Sequence, residues 1–378
     1  MADPIPTRTK EEDAAASRVG STLRGKWRLD ALLGVGGIAT VYAATHRNGQ
    51  RATLKLMHPE LARDRGIVER FLREAYVANK VGHPACVRVM DDDVTESEEP
   101  FLVMELLEGE TVRDYWRRTG RTIPASQALH IAERVLDCLS ACHAVGVVHR
   151  DLKPANIFLV RSGVVKLLDF GVAREEGTRH EGDKTVGLAL GTPAYMSPEQ
   201  AKGQIDRIDG RSDLCSVGAL LHALITGRRI HRGKTEKESL HRAAHDPVPS
   251  VATIDPSLPG ELVRLIDKAL AWEPQRRFSS AREMQSAVIS AMRVAADALR
   301  TASDEEPEDA PDLTPVHEVV ARDDARVREV EGVLAAWEDA LVAGVLHGFD
   351  STSAEPALRR AFDPCVEVHR KRSAAISL

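Results

Sequence analysis

The sequence predicts an α+β fold built as two lobes, with the strands in the first lobe and most of the helices in the second. Residues 27–55 contain three short β-type runs, separated by a glycine-rich turn and by Asn48-Gly49, and an Asn-Gly pair between such runs is a strong hairpin signal. Residues 67–81 then repeat apolar side chains at three- and four-residue steps, and beyond residue 109 the pattern is mostly helical. Strands that come first and helices that follow are typical of an α+β arrangement.

The elements can be placed in order along the chain. Residues 1–24 are polar and are predicted to be disordered. A β-rich small lobe is predicted at about 25–108 and a helical large lobe at about 109–295. Further predicted elements are strands at 86–90, 101–106, 157–160 and 164–168, and helices at 124–144 and 262–272.

The end of the chain differs in character from both lobes. A solvated linker is predicted at 300–315, because residues 301–315 hold six acidic residues, three prolines and no basic residue. Residues 316–346 repeat apolar side chains at helical spacing, which predicts a helical tail over 316–378. The sequence leaves the role of this tail open.

Composition narrows the class of protein. The net charge of −6 carries no basic excess, so neither nucleic acid nor an anionic membrane is an expected partner. No apolar run is long enough for a membrane span, and the first residues lack the apolar core of a signal peptide, so a cytoplasmic protein is predicted. Five scattered cysteines favour neither a disulfide framework nor a zinc site, although Cys138 and Cys142 would share one helical face.

The glycine-rich turn reads G-V-G-G-I-A-T-V over residues 34–41. Glycines allow backbone N–H groups to approach phosphate oxygens without a Cβ in the way. A dinucleotide-binding fold would need a helix directly after this turn, and a second strand follows instead. The turn alone is weak evidence, since a plain hairpin loop would look similar.

Two charged residues come next in the small lobe. Lys55 ends an apolar strand and Glu74 lies in the middle of the following helix. A cation that faces the phosphates of ATP needs a carboxylate to hold its extended side chain. Two unrelated surface charges are the alternative at this stage.

The most specific pattern is H-R-D-L-K-P-A-N at residues 149–156, followed by D-F-G at 169–171. Asp151 can accept the proton of a substrate hydroxyl, and Asn156 and Asp169 offer the oxygen ligands that Mg²⁺ prefers. Chance is a negligible explanation for this pair of motifs. The alternative is a degenerate, inactive copy of the same fold.

With these motifs, residues 27–291 resemble the catalytic domain of the eukaryotic-like serine/threonine protein kinases and are most similar to the bacterial members. The resemblance extends to H-P at 83–84, M-E-L-L-E-G at 104–109, G-T-P-A-Y-M-S-P-E-Q at 191–200 and P-Q-R-R-F at 274–278. It implies a bilobal kinase fold that binds ATP with Mg²⁺, or Mn²⁺, in the cleft between the lobes. The departures Ala39, Ser197 and Cys215 leave the expected catalytic residues untouched.

The resemblance also implies a role for individual residues. Lys55, paired with Glu74, is expected to contact the α- and β-phosphates, Lys153 the γ-phosphate, and Thr192 is expected to hydrogen-bond toward Asp151 and Lys153. Asp213 is expected to anchor the backbone of the catalytic loop, and Glu199 to form a buried ion pair with Arg277. The other expected contacts of the nucleotide are Leu33, Gly34, Gly36, Val41, Ala52, Met104, Glu105, Leu107 and Phe158.

Specificity and regulation follow from the same motifs. Lys153 and the sequence Gly191-Thr192-Pro193 favour serine and threonine over tyrosine as the acceptor. The expected partners are protein substrates and, in a transient dimer, a second copy of the chain.

An activating phosphorylation is expected because three arginines are predicted to come together. Without an anion their guanidinium groups would repel one another. The arginines are Arg150, Arg174 and Arg70, with Thr185 as the first candidate phosphosite and Thr178 as the second. The alternative is that one or more of these arginines points to solvent.

Two further functions compete with a protein kinase. A small-molecule phosphotransferase shares the catalytic aspartate, but it would normally lack Asp213 and the segment at 191–199 that builds the platform for protein substrates. An inactive scaffold is the other candidate, and the intact catalytic residues argue against it.

Overall fold

The computed structural model describes residues 10–170 and 192–304, with side chains to residue 294, and the predicted α+β fold in two lobes is confirmed. The strands are β1 Thr22–Leu23, β2 Trp27–Val35, β3 Ala39–His46, β4 Arg51–Met57, β5 Val89–Val94, β6 Pro100–Met104, β7 Gly109–Thr111, β8 Ile157–Val160 and β9 Val165–Leu167. The helices are α1 Lys10–Ser17, α2 Arg65–Val81, α3 Val112–Arg118, α4 Ala125–Ala144, α5 Pro198–Ala201, α6 Gly210–Thr226, α7 Glu236–His245, α8 Gly260–Ala269 and α9 Ala281–Asp304.

The small lobe is a six-stranded antiparallel sheet in the order β1-β2-β3-β4-β6-β5. Helix α2 packs on this sheet because its apolar stripe, which includes the buried Phe71 and Ala75, meets Met57 and Leu102. The helix begins where the Asp64 side chain accepts from the N–H of Ile67 and ends at Gly82 in the left-handed conformation. These two ends fix the position of Glu74 over the sheet.

The first residues fold onto the small lobe, so the prediction of disorder over residues 1–24 is wrong for residues 10–24. Helix α1 buries Ala15, and the hydroxyl of the buried Tyr42 donates to the Ala15 carbonyl at 2.9 Å. Arg18 makes a bidentate ion pair with Glu99, with a shortest distance of 2.7 Å. These tertiary contacts stabilise a helix of eight residues, which would be too short to be stable in isolation.

The core of the large lobe lies around α4 and α6. Helix α6 is buried over most of its length, from an N-cap at Asp209 to Gly227 in the left-handed conformation. Helix α4 turns its apolar face toward α6 and α9. A three-stranded antiparallel sheet, β7-β8-β9, lies where the chain passes between the lobes. There the backbone approaches so closely that a Cβ on Gly109 would overlap the carbonyl of Leu159.

Two predicted boundaries shift. The strand expected at 86–90 begins at Val89, because Cys86 makes a single bridge to Leu167 of the large lobe instead of joining the sheet. Helix α9 continues to Asp304 and therefore occupies the start of the linker predicted at 300–315. The rest of that linker and the predicted tail lie outside the described residues.

Within residues 10–170 and 192–304, no helix is long and apolar enough to cross a membrane.

A buried ion pair ties two segments of the large lobe together. Glu199 of α5 and Arg277 form a bidentate pair at 2.7 and 3.0 Å, and both side chains are almost fully buried. Burial alone would raise the pKa of Glu199, but the hydrogen bonds from Arg277 and Ser212 outweigh it and hold that pKa below its ordinary value. Arg277 also donates to the carbonyls of Ala271 and Trp272, so its guanidinium is held by several partners.

Replacing Glu199 with alanine should destabilise the large lobe, because it leaves the Arg277 charge buried without its partner. The expected loss of unfolding free energy is about 3–5 kcal/mol. The matched control is Arg242→Ala, which breaks the exposed pair with Glu238 and should cost about 1 kcal/mol or less. Thermal and denaturant melts of both variants measure the difference. Equal melts for Glu199→Ala and wild type would contradict a stabilising role for this pair.

Candidate active site

Two side chains of the predicted catalytic loop, Lys153 and Asn156, meet at the carboxylate of a third residue, Asp151. Lys153 Nζ donates to Asp151 Oδ2 at 2.8 Å, and Asn156 Nδ2 donates to the same oxygen at 3.0 Å and to the Asp151 carbonyl at 2.9 Å. These contacts fix the Asp151 side chain at the surface of the cleft, where it remains partly exposed. The arrangement places a proton acceptor beside a fixed positive charge.

The backbone of this loop is held by Asp213 of α6, which is fully buried. Its two carboxylate oxygens accept the N–H groups of His149 and Arg150, both at 2.8 Å, and His143 Nε2 lies 2.8 Å from one of them. Arg150 has a φ of 65°, a conformation that costs a residue with a side chain about 1–3 kcal/mol. The Asp213 carboxylate therefore stabilises a strained turn immediately before Asp151.

Lys55 of β4 lies between two carboxylates from different parts of the fold. Its Nζ is 3.3 Å from Glu74 of α2 and 2.7 Å from Asp169 of the large lobe. Burial would lower the pKa of Lys55, but the two carboxylates outweigh it and raise that pKa above its ordinary value. Burial raises the pKa of Glu74 to about 7, against the opposing effect of Lys55. Lys55 is therefore a fixed cation that joins the two lobes.

Asp169 is positioned by the strand before it and by the packing after it. Its φ of 44° is again a strained value, and its side chain is half exposed to the cleft. The Leu168 N–H donates to the Asn156 carbonyl at 2.8 Å, so the segments of Asp169 and Asn156 run side by side. Burial would raise the pKa of Asp169, but Lys55 lowers it, which keeps the carboxylate charged. A carboxylate and an amide oxygen on neighbouring segments are a donor set that fits a hard divalent cation.

His149 and Phe170 belong to the core beneath these residues. Their rings lie 5.0 Å apart and both side chains are buried. Burial lowers the pKa of His149, so the ring is neutral at neutral pH. This agrees with a packing role and not with proton transfer.

The small-lobe residues expected around a nucleotide line the opposite wall of the cleft. The glycine-rich turn follows β2, and its Gly36 carbonyl lies 2.7 Å from His58 Nε2. Val41 lies opposite Lys55 in the neighbouring strand, Ala52 is fully buried, and Leu33 is largely exposed.

A small, partly open cavity is bounded by Lys55, Glu74, Met104 and Asp169. Leu107 lies in the extended link between the lobes, and Phe158 of β8 faces Thr111 of β7 across the small sheet.

Some predicted residues are not brought together. The Thr192 hydroxyl has no hydrogen bond to Asp151 or Lys153 within the described residues. That contact, expected from the resemblance, is absent. Arg70 Nε donates to the Gly66 carbonyl one turn earlier in α2. Arg174, Thr178 and Thr185 lie outside the described residues.

The positioning role of Gln200, and that of the Glu105 side chain, were not predicted from the sequence. Gln200 Nε2 donates to the Arg150 carbonyl at 2.8 Å, so the strained residue is held on both sides of its backbone. The S-x-x-Q pattern of a capping box at Ser197 was the available signal for this residue. The Glu105 side chain accepts from the Arg88 N–H at 2.8 Å and from Lys166 Nζ at 2.6 Å, which anchors the link between the lobes. No local pattern indicates that contact.

Comparison with known proteins agrees with this geometry. Residues 27–289 match the family model of the protein kinase domain. The chain is 37% identical over 267 residues to a probable serine/threonine-protein kinase of Streptomyces coelicolor, an alignment that covers 70% of this chain and 39% of that protein. It is 36% identical over 273 residues to the serine/threonine-protein kinase Pkn1 of Myxococcus xanthus, covering 71% and 38%.

A third relative is the serine/threonine-protein kinase PknB of Mycobacterium tuberculosis, 33% identical over 294 residues, covering 74% of this chain and 46% of that one. The matches span less than half the length of these curated relatives. Among solved structures, the PknI kinase domain of Mycobacterium tuberculosis superposes with a TM-score of 0.55 at 25% identity, over 72% of this chain and 98% of that domain. The chain therefore belongs to the protein kinase family, and its domain is of the eukaryotic-like serine/threonine type.

Proposed function

We propose that this protein is an ATP-dependent serine/threonine protein kinase, which transfers the γ-phosphate of ATP to serine and threonine hydroxyls of proteins. The observation that carries the proposal is the Asp151 carboxylate, held by Lys153 and Asn156 on a loop that is itself fixed by Asp213. The relatives described above are named as serine/threonine-protein kinases, which supports the same activity.

Each residue of the site has a distinct task in the proposed reaction. Asp151 orients the attacking hydroxyl and accepts its proton as the new oxygen–phosphorus bond forms. Lys153 keeps a positive charge beside Asp151 while charge builds up on the transferred group. Lys55 holds the α- and β-phosphates, and Glu74 keeps the Lys55 side chain extended toward them.

The metal ligands are Asn156 and Asp169. We propose Mg²⁺ as the ion, with Mn²⁺ as a substitute, because both residues offer oxygen atoms, the ligands that these hard cations prefer. A bound divalent cation neutralises the charge of the phosphates. Asp169 also pairs with Lys55, which lowers the pKa of that carboxyl and favours its charged form.

The proposal includes the setting of the reaction. The protein acts in the cytoplasm on protein substrates as part of signal transduction, and a second copy of the chain is a transient partner for autophosphorylation. Arg150, Arg174 and Arg70 are the proposed receptors of a phosphorylated Thr185 or Thr178. Arg70 Nε donates to a carbonyl of its own helix, so the guanidinium would have to turn toward the phosphate.

Asp151→Asn should lower the rate of phosphotransfer by about 10²- to 10⁴-fold, since it removes the proton acceptor and keeps the shape of the side chain. Lys55→Met should likewise abolish most activity, because it removes the cation that holds the phosphates. The matched controls are Asp206→Asn and Lys237→Met, which change exposed residues and should leave the rate unchanged. Transfer of labelled phosphate to a general protein substrate is measured, with thermal melts to confirm folding. Near-normal turnover by folded Asp151→Asn would refute the assignment of Asp151 as the catalytic base.

Thr185 is expected to be phosphorylated when the purified protein is incubated with Mg-ATP, and Thr185→Ala should lower activity more than Thr178→Ala. The reason is that a phosphate of charge about −1.5 to −2 would relieve the repulsion among the three arginines. Mass spectrometry locates the phosphate, and initial rates compare the variants. Fully active protein with an unmodified Thr185 would contradict this mode of activation.

A further inference from the structure

Three cysteine thiols meet in the interior, away from the catalytic residues. Cys138 and Cys142 are fully buried and Cys86 is 5% exposed. All three Sγ atoms lie within 4.8 Å of one another, and the Sγ atoms of Cys86 and Cys138 are 3.4 Å apart. Within residues 10–170 and 192–304, this cysteine cluster is the group of potential metal ligands whose atoms lie close enough together to bind one metal ion.

The fold positions the three sulfurs from two sides. Cys138 and Cys142 are four residues apart on α4 and so project from the same helical face. Cys86 comes from residues 82–88, the segment between α2 and β5. That segment is fixed to β9, since the Leu167 N–H donates to the Ala85 carbonyl at 2.7 Å and the Val87 N–H donates to the Leu167 carbonyl at 3.3 Å. The cluster is therefore preorganised and closed to solvent.

The spacing suits a metal ion held by three sulfurs. With a metal–sulfur distance of about 2.3 Å, three sulfurs in a trigonal plane are about 4.0 Å apart. The Sγ atoms of Cys86 and Cys138, at 3.4 Å, are closer than this value, and no pair of the three Sγ atoms is more than 4.8 Å apart, so the cluster is near the size that such a site requires.

The number of ligands selects the kind of ion. Zinc in closed sites is almost always four-coordinate. The nearby His83 does not supply a fourth ligand, because its Nδ1 accepts from the Ala85 N–H and its Nε2 lies 3.3 Å from Asp137. Soft thiolate ligands select Cu(I) among the remaining common ions, and Cu(I) is stable with three sulfur ligands.

We propose that Cys86, Cys138 and Cys142 form a trigonal site for Cu(I). Binding displaces protons from the thiols, and no electron is transferred. The bound ion would join α4 of the large lobe to the segment that follows α2, whose Glu74 pairs with Lys55. Val87 and Leu167, which flank the cluster, also line the cavity behind Lys55. The alternative is that the three cysteines are small apolar residues that fill the core.

The test is a competition for Cu(I) between the full chain and a chromogenic Cu(I) chelator, carried out without oxygen and with ascorbate as reductant. One tightly bound Cu(I) per chain is expected, together with sulfur-to-copper charge-transfer absorption in the near ultraviolet and a higher melting temperature. In a parallel arm, Zn(II) should bind at least tenfold more weakly than Cu(I). A protein that binds Zn(II) and leaves Cu(I) on the chelator would overturn the trigonal assignment.

Cysteine variants decide which residues bind. Cys138→Ser and, independently, Cys142→Ala should weaken Cu(I) binding by tenfold or more. Cys215→Ser is the matched control, since Cys215 is equally buried on α6 but outside the cluster, and Cys365→Ser removes the thiol of the tail. Both controls should bind Cu(I) like the wild type. Thermal melts without metal identify any variant that fails to fold, and the other cluster variant then decides. Undiminished binding in a folded cluster variant, or no Cu(I) bound by the wild type, would refute the site.

Discussion

The buried carboxylate of Asp213 is the constraint on which the catalytic geometry depends. It accepts two successive backbone N–H groups, and in doing so it stabilises Arg150 in a conformation that would otherwise be unfavourable. Because the same loop carries Asp151 directly afterwards, the direction of the Asp151 carboxylate depends on a residue in the first turn of helix α6. The packing of α6 against α4 and α8 thus contributes to chemistry at the surface of the cleft.

The two lobes are joined by polar contacts as well as by the covalent link. Lys55 connects α2 and the small-lobe sheet to Asp169, and the Glu105 side chain connects the link to Lys166 of β9. Both contacts end on or beside the segment 165–170, which pairs with the small-lobe segment at Ala85 and Val87. The position of that one segment therefore determines how the phosphate-holding lysine and the proposed metal ligands face each other.

The sequence predicts the motif residues well because their chemistry requires particular residue types at particular spacings, as in the loop at 149–156. It also predicts most helices and strands, since their apolar periodicity is local. Contacts between distant segments could not be predicted in this way. The folding of residues 10–24 depends on Tyr42 and Glu99, and the approach of Cys86 to α4 depends on a bridge to Leu167. Such contacts are set by tertiary packing and leave no pattern in the local sequence.

Phosphoamino-acid analysis tests the central claim most directly. The protein is incubated with ATP labelled in the γ-phosphate, Mg²⁺ and a general protein substrate, and the modified substrate is hydrolysed and separated. The geometry around Asp151 and Lys153 predicts label on serine and threonine, and none when Mg²⁺ is withheld. Label found on tyrosine alone, or no transfer by a protein that is folded and binds ATP, would contradict the assignment of this site as a serine/threonine kinase centre.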